Sequence, residues 1–439
     1  MSPATQGLIV IIATILVFMT GAPIAFALGA IGIVFLVLFQ GMDSLRVAAE
    51  TLYSGLHDFT LVSIPMFIMM GAAIGSSPAG KDLYEALDRW LYRVPGGLVI
   101  SNLGACALFA ALTGSSPATC AAIGKMGIPE MRRRGYPDQV ATGSICAGGT
   151  LGILIPPSIT FILYGIATET SIGRLFLAGV MPGLLLTGLF MLWTLFYIWK
   201  SGFRAYAPEF RYSWKQKFES IPKVAPFLLI VIGVMYVLYG GIATPSEAAG
   251  VGAALCAILA VLIYRMWSPT AWWEILRSTT RESVMILMII ATAVLFSYML
   301  TSLYITQTLA QAIADMNVNR WVLMLLVNLF LLVCGCFIPP AGIILMTAPI
   351  LLPIITNAGF DPVWFGVIVT INMEIGLITP PVGLNLFVVN AIAPDVPIKT
   401  VLWGSLPYVI AMALGILILS IFPEIATWLP DYLMGPVRK

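Results

Sequence analysis

The residues best placed to do chemistry in this chain are neutral oxygen donors. Thr113, Ser115, Ser116 and Thr119 crowd a Gly-Ser-Ser-Pro turn. Thr150 lies within, and Ser158 directly follows, a glycine-rich stretch over 148–157 that ends at Pro156-Pro157, and Thr379 and Asn385 flank a second pair, Pro380-Pro381. Hydroxyl and carbonyl oxygens suit a hard cation such as Na+, and unwound backbone supplies more of them. Asn385 can also donate N–H to an anion. Glycines 114, 148, 149, 152, 335, 376 and 383 stand among these residues and let the backbone turn and approach a ligand. The plain alternative is that Gly and Pro merely kink helices and that Ser and Thr bond back to their own helix. That alternative accounts poorly for polar clusters that recur at matched places in the chain.

Other chemistry has little to draw on. His57 is the single histidine and sits beside Asp58, so a histidine-based catalytic triad has no material. No G-x-x-x-x-G-K-[ST] phosphate loop occurs. The six cysteines lie in apolar segments, and Cys334-x-Cys336, with no histidine nearby, is too close-spaced for a metal site. Glu169 falls near a helix end and reads as interfacial. Glu374 is the one acid deep in an apolar run. Such an acid could bind a cation, carry a proton, or sit protonated and hydrogen-bonded to Asn372 or the backbone.

The elements that must position these residues follow from composition. Of 439 residues, 60% are hydrophobic and only 10% charged, against roughly 25% charged in an ordinary soluble domain. The apolar residues come in runs long enough to cross a bilayer. The class is a polytopic all-α membrane protein, which leaves out a soluble enzyme, a nucleic-acid binder and, for want of short alternating segments, a β-barrel. The first two apolar runs lack a basic n-region and read as mature membrane segments.

Apolar runs between breakers give helices over 7–20, 23–39 and 61–74, and an amphipathic interfacial arm over 81–93. A hairpin over 96–130 is broken at 113–117, a helix over 140–168 is broken at 148–157, and a helix follows over 174–199. A basic linker, 200–223, closes this half. The second half runs 224–239, 247–266, 282–303, an arm over 305–319, a hairpin over 321–356 broken near 335–340, a helix over 363–392 broken at 376–381, and 401–421. The landmarks match at one offset: Pro156-Pro157 with Pro380-Pro381, Pro117 with Pro340, Pro182 with Pro407 and Glu50 with Glu274 lie 223–225 residues apart. Residues 1–223 and 224–439 therefore read as two structural repeats. An odd number of crossings separates counterpart helices, so the repeats are inverted. With Lys125 and Arg132–Arg134 placed inside, 17 of the 22 Lys and Arg residues fall inside, and both termini fall outside.

A helix broken within lipid leaves backbone groups unpaired at several kcal/mol each, so such breaks survive where they line a polar cavity. In inverted-repeat transporters they meet near the bilayer midplane, where carbonyls hold the coupling ion and helix N-termini face an anion.

These residues resemble the large membrane subunit, DctM-type, of the tripartite ATP-independent periplasmic (TRAP) transporters. The carriers are Leu61-Val-Ser-Ile-Pro-Met-Phe67, Gly114-Ser-Ser-Pro-Ala-Thr119, Ala122-Ile-Gly124 with Ile128-Pro-Glu-Met131, and Arg134-Gly-Tyr136. Further carriers are Gly152-Ile-Leu-Ile-Pro-Pro-Ser158, Phe176-Leu-Ala-Gly-Val-Met-Pro-Gly183, Pro349-Ile-Leu-Leu-Pro353, and Gly376-Leu-Ile-Thr-Pro-Pro-Val-Gly383 with Asn385. The resemblance implies an elevator-type, ion-transporter-like fold with two re-entrant hairpins and two broken helices. It implies Na+-coupled symport of an organic acid (a C4-dicarboxylate, sialic acid or another carboxylate) across the bacterial inner membrane, with both termini periplasmic. Its partners would be a periplasmic substrate-binding protein and a small four-helix Q subunit on a separate chain. No organic cofactor and no nucleic acid are implied. One Na+ site would involve Ser115, Ser116, Gly149 and Thr150, and a second Gly335, Gly376 and Thr379. Substrate would meet Ser116, Thr119, Ser158 and Asn385, with Glu374 behind them. Many relatives carry an acid just before the second tip, where this chain reads Phe337-Ile-Pro-Pro340. The other reading of the same residues is a stand-alone Na+- or H+-coupled carboxylate transporter that needs no binding protein.

Overall fold

A computed structural model describes residues 2–91, 96–201, 212–315 and 318–436. Every regular element among them is a helix. Parts of the expected arms and of the 200–223 linker, residues 92–95, 202–211 and 316–317, fall outside the described residues.

Five helices are long and apolar enough to cross a membrane: Ile172–Lys200, Pro245–Tyr264, Pro269–Ser302, Pro340–Asn357 and Ile398–Ile421. A sixth span forms if Ser44–Ser54 and Phe59–Gly75 are taken together across their 53° bend. The arms expected from the sequence form as Ala79–Leu91 and Ile305–Asp315. Leu83 is buried on Ala79–Leu91 while Lys81 is exposed and Arg89 partly so, the two-faced pattern of an amphipathic helix.

Both expected breaks in each half are present. Gly97–Thr113 and Ser116–Arg133 form the first helical hairpin, joined through Gly114 at φ +60° and an extended Ser115. Asp138–Thr150, a 3-10 turn over Leu151–Ile153 and Ile159–Thr168 form the first broken helix. Arg320–Gly335 with Pro340–Asn357, and Pro362–Leu377 with Leu384–Ile392, are the corresponding pieces of the second half. Both Pro-Pro bonds, Pro156-Pro157 and Pro380-Pro381, are cis.

The apolar runs left 267–281 between two helices, and the structure corrects this. Those residues belong to one 34-residue helix, Pro269–Ser302. Charges at Glu274, Arg277 and Arg281 end the apolar run but do not end the helix, because none of them breaks backbone hydrogen bonding. Ser44–Ser54 and Glu424–Met434 are likewise helical where hydropathy gave no span.

Packing crosses between the halves. Ile24–Gln40 lies on Pro269–Ser302 while Ser63–Gly75 lies on Pro245–Tyr264, and Ile398–Ile421 lies on Asp138–Thr150 while Ile172–Ser201 lies on Pro362–Leu377. Small residues permit the close approaches, as in membrane helix pairs generally. A Cβ on Gly143 would overlap the backbone of Gly404, and one on Gly252 would come to 3.1 Å from Met70 Sδ. The two broken helices lie deepest: Pro362–Leu377 buries every residue from Val363 onward, and Asp138–Thr150 every residue from Ala141 onward. Outer helices instead expose apolar side chains, such as Leu8, Ile15, Leu229 and Leu262, which suits contact with lipid.

Candidate functional site

The first hairpin tip is seated on the first broken helix. Pro at the second position of Ser116–Arg133 suits a helix start, since its missing N–H would be unpaired there anyway. Gly114 takes a left-handed conformation and faces the Pro157 carbonyl, which a Cβ would meet at 2.8 Å. Gly152 underlies the tip from the other side, where a Cβ would lie 2.5 Å from the Ser115 carbonyl oxygen. Side chains then tie the pieces together. The Ser116 hydroxyl donates to the Thr150 carbonyl at 3.0 Å, and the Thr119 hydroxyl lies 2.8 Å from that of Thr113 and donates to the Ser115 carbonyl at 2.9 Å. Ser158 caps Ile159–Thr168 and donates to the Ile153 carbonyl at 2.5 Å, satisfying part of the unwound turn. Ser116, Thr119, Thr150 and Ser158 are all fully buried. Of the proposed first cluster, Ser115, Ser116, Gly149 and Thr150 thus come together, although Thr150 presents its carbonyl while its hydroxyl turns back to Ala147.

The second tip meets its broken helix through backbone. Gly335 and Gly376 are apposed so closely that a Cβ on Gly376 would overlap the Gly335 main chain. The Val382 N–H donates to the Cys336 carbonyl at 3.2 Å. The Thr379 hydroxyl donates within its own segment, to the Ile375 carbonyl at 2.6 Å. The rim is open and apolar, with Phe337 61% and Val382 43% exposed.

Asn385 links the halves. It sits just inside the N-terminus of Leu384–Ile392, and its amide donates to the Cys146 carbonyl of the first broken helix at 3.4 Å. Its Oδ1, buried, has no hydrogen-bond partner among the described residues. It therefore joins the first cluster rather than Thr379.

Glu374 is fully buried, and among the described residues neither carboxylate oxygen has a hydrogen-bond partner. Among the described residues, the bond to Asn372, one of the alternatives the sequence left open, does not form. The Asn372 amide instead donates to Asn328 and to the Ile368 carbonyl, because Asn372 lies on the face of Pro362–Leu377 that meets Arg320–Gly335. Sequence reading passed over Asn328, a lone amide in the apolar run 321–333, and Asn102, whose buried side chain packs against Gly127 with no hydrogen-bond partner among the described residues. A single amide in an otherwise apolar run is the signal that marks both.

At the end of the first hairpin far from its tip, charge pairs close the structure. Arg132 holds Asp395 at 2.5 Å and Asp138 at 2.9 Å, so one guanidinium spans the hairpin, the first broken helix and the loop after the second. Its hydrogen bond keeps the Asp395 carboxyl below the usual carboxylate range. Arg134 pairs with Glu130 at 2.8 Å and with the buried Asp88 of the arm at 3.1 Å. Among the described residues no group of three or more His, Cys, Asp or Glu could hold a metal ion.

A family model described as "Tripartite ATP-independent periplasmic transporter, DctM component" matches residues 10–425. The C4-dicarboxylate TRAP transporter large permease protein DctM of Pseudomonas aeruginosa is 39% identical over 93% of this chain and 94% of its own length. The protein of the same name from Vibrio cholerae is 36% identical over 95% of each chain. Among solved structures, the YdaH transporter of Alcanivorax borkumensis, described as having an unusual topology, superposes with a TM-score of 0.69 at 16% identity, covering 97% of this chain and 100% of that one. That likeness is one of fold.

Proposed function

The chain belongs to the DctM-component family of tripartite ATP-independent periplasmic transporters, a family of transporter permease subunits rather than enzymes, and from that premise we propose that it couples Na+ entry to uptake of an organic acid across the bacterial inner membrane. The observation that carries this reading is the seating of the first hairpin tip on the first broken helix, with Ser116 bonded to the Thr150 carbonyl in a fully buried setting. A break buried against a second break concentrates carbonyl and hydroxyl oxygens where no carboxylate or water-rich surface competes for a cation.

In this reading Ser115, Ser116, Gly149 and Thr150 contribute to one Na+ site, and Gly335, Gly376 and Thr379 to another. The acid binds between the tips, touching Ser116, Thr119, Ser158 and Asn385. The orphan Oδ1 of Asn385 supports this placement, since an unpaired buried acceptor is costly unless a ligand or ion satisfies it. The relatives whose names specify C4-dicarboxylate support a carboxylate as cargo. Each Na+ moved inward gains about 2.3 kcal/mol per 100 mV, so several Na+ per acid drive accumulation. Ion binding orders the tips, ordered tips hold the acid more tightly, and the effect is reciprocal.

The crossed packing of the halves supports two inverted repeats, 1–223 and 224–439, and an elevator motion of the hairpins and broken helices against the remaining helices. The termini are placed outside, and the partners are a small four-helix subunit and a periplasmic binding protein. The test is uptake in proteoliposomes holding the chain with both partners. Ser116→Ala and Thr379→Ala should each weaken the Na+ dependence of uptake while the protein inserts normally. Wild-type Na+ dependence in both variants would retire the site assignment.

A further inference from the structure

A cavity of about 510 Å3 runs from the first tip toward the charged end of the same hairpin. Its inner end is formed by Thr113 and Ser115. A stripe of Ser116–Arg133 in which Ala118, Ala121 and Lys125 recur at helical spacing lines it, together with Ser76, Ser77 and, from Pro269–Ser302, Ser278 and Glu282. Lys81 also borders it, but its ammonium lies 3.8 Å from Glu85. Lys125 is exposed and has no acid within ion-pair distance among the described residues. The Ser115 hydroxyl at the inner end likewise makes no hydrogen bond there. The path thus begins at an uncommitted hydroxyl, passes small side chains and ends at an uncommitted cation. Nine residues separate Ser116 from Lys125, which places the cation about 14 Å from the tip along the helix.

We propose that this cavity is the exit vestibule for the transported organic anion on the cytoplasmic side, and that the Lys125 ammonium is its charge contact. The proposal rests on the transport reading above and adds a residue to it. An anion released from the tip loses its Na+ partners, and the next favourable position is the nearest unpaired cation. Lys125 is carried on the hairpin itself, so the contact moves with the tip. Alanines along the stripe leave room for a small carboxylate or sulfonate and offer no competing donor. Glu282, also in the lining, repels the anion and leaves Lys125 as its charge contact.

The experiment reads charge selectivity in the cavity without using Na+ or uptake. Ala121→Cys in the full chain, in lipid nanodiscs, is reacted with an anionic thiol reagent, 2-sulfonatoethyl methanethiosulfonate, and with its cationic trimethylammonium-ethyl counterpart. Labelling of the wild-type cysteines is subtracted. The anionic-to-cationic rate ratio should fall by about threefold or more when Lys125→Gln is added, should stay put with Lys125→Arg, and should change less with Lys81→Gln. A ratio unmoved by Lys125→Gln, or moved as much by Lys81→Gln, would overturn the proposal. All variants are first checked for monodisperse elution. If the ratio behaves as expected but uptake proves independent of Na+, the coupling reading falls and the vestibule stands. If uptake is Na+-dependent and the ratio does not move, the vestibule alone falls.

Discussion

At the first tip a side chain crosses from hairpin to broken helix, Ser116 to the Thr150 carbonyl, between two fully buried residues. At the second tip the crossing is made by main chain, Gly335 against Gly376 and Val382 N–H to Cys336 carbonyl, under an exposed apolar rim. The hydroxyl on that side, Thr379, is spent on its own helix. In the proposed reading, a cation arriving at the first tip replaces an existing hydrogen bond between the two elements. At the second it meets backbone oxygens already held in place and an opening toward the surface. The same set of breaks is thus built once with adjustable side chains and once with fixed backbone.

The sharpest way to break that comparison is to fill the backbone contact. Gly376→Leu places a side chain where the Gly335 main chain lies, and Gly152→Leu does the same beneath Ser115. Overpacking of this kind costs about 1–3 kcal/mol and often more where backbone must move. Both variants should lose nearly all uptake, with membrane insertion retained, as read in proteoliposomes and by quantitative blotting. If Gly376→Leu transports normally, the second tip is not closed by backbone contact.

Hydroxyl deletion distinguishes the tips next. Ser116→Ala removes a buried bond between elements, at about 1 kcal/mol, and should lower both the melting temperature and Na+-dependent uptake. Thr379→Ala removes a bond within one segment, so stability should hold while Na+ dependence weakens. A drop in melting temperature for Thr379→Ala equal to that for Ser116→Ala would erase the distinction. Glu374→Gln has a smaller expected effect. It keeps the shape of a buried side chain that pairs with nothing among the described residues, so uptake should stay within about twofold of wild type, the scale of a swap that neither opens a cavity nor adds bulk. Loss of Na+ dependence in that variant would instead make the carboxylate an ion ligand.

Much of the scaffold was legible because breakers are local signals. Gly114-Ser115 and the two Pro-Pro pairs interrupt helices where their conformational limits say they must. The 53° bend between Ser44–Ser54 and Phe59–Gly75 is also local in origin: Gly55 loosens the helix, and Asp58 accepts the Thr60 N–H at 2.8 Å to start a new turn. About 225 residues on, Thr280 and Ser283 offer neither feature, and Pro269–Ser302 runs straight through. Pairings between distant segments were not legible. Nothing in the Asn372 neighbourhood names Asn328 over Glu374, because the choice depends on which face of Pro362–Leu377 meets which helix. Asn385 was placed with the substrate, but only the fold shows that it reaches Cys146. The cavity along Ser116–Arg133 was invisible for the same reason, since most of its lining comes from other segments.

The smallest effect belongs to the charged end, where the first hairpin, the first broken helix and the loop after the second meet at one guanidinium. Arg132→Gln leaves Asp395 and Asp138 unpaired on an exposed surface, where such pairs contribute little. The melting temperature at pH 7 should drop slightly, and less at high salt, because exposed charges are screened. The pH dependence gives the sign. Asp395 has its carboxyl lowered from 3.8 in the folded chain, so its contribution is full above that value and is lost as pH falls through the lowered one. The gap between wild type and Arg132→Gln should therefore close below about pH 4. A gap that persists there would mean that Arg132 acts through packing of its stem rather than through its charge, and would detach this end of the hairpin from the electrostatic account given to it.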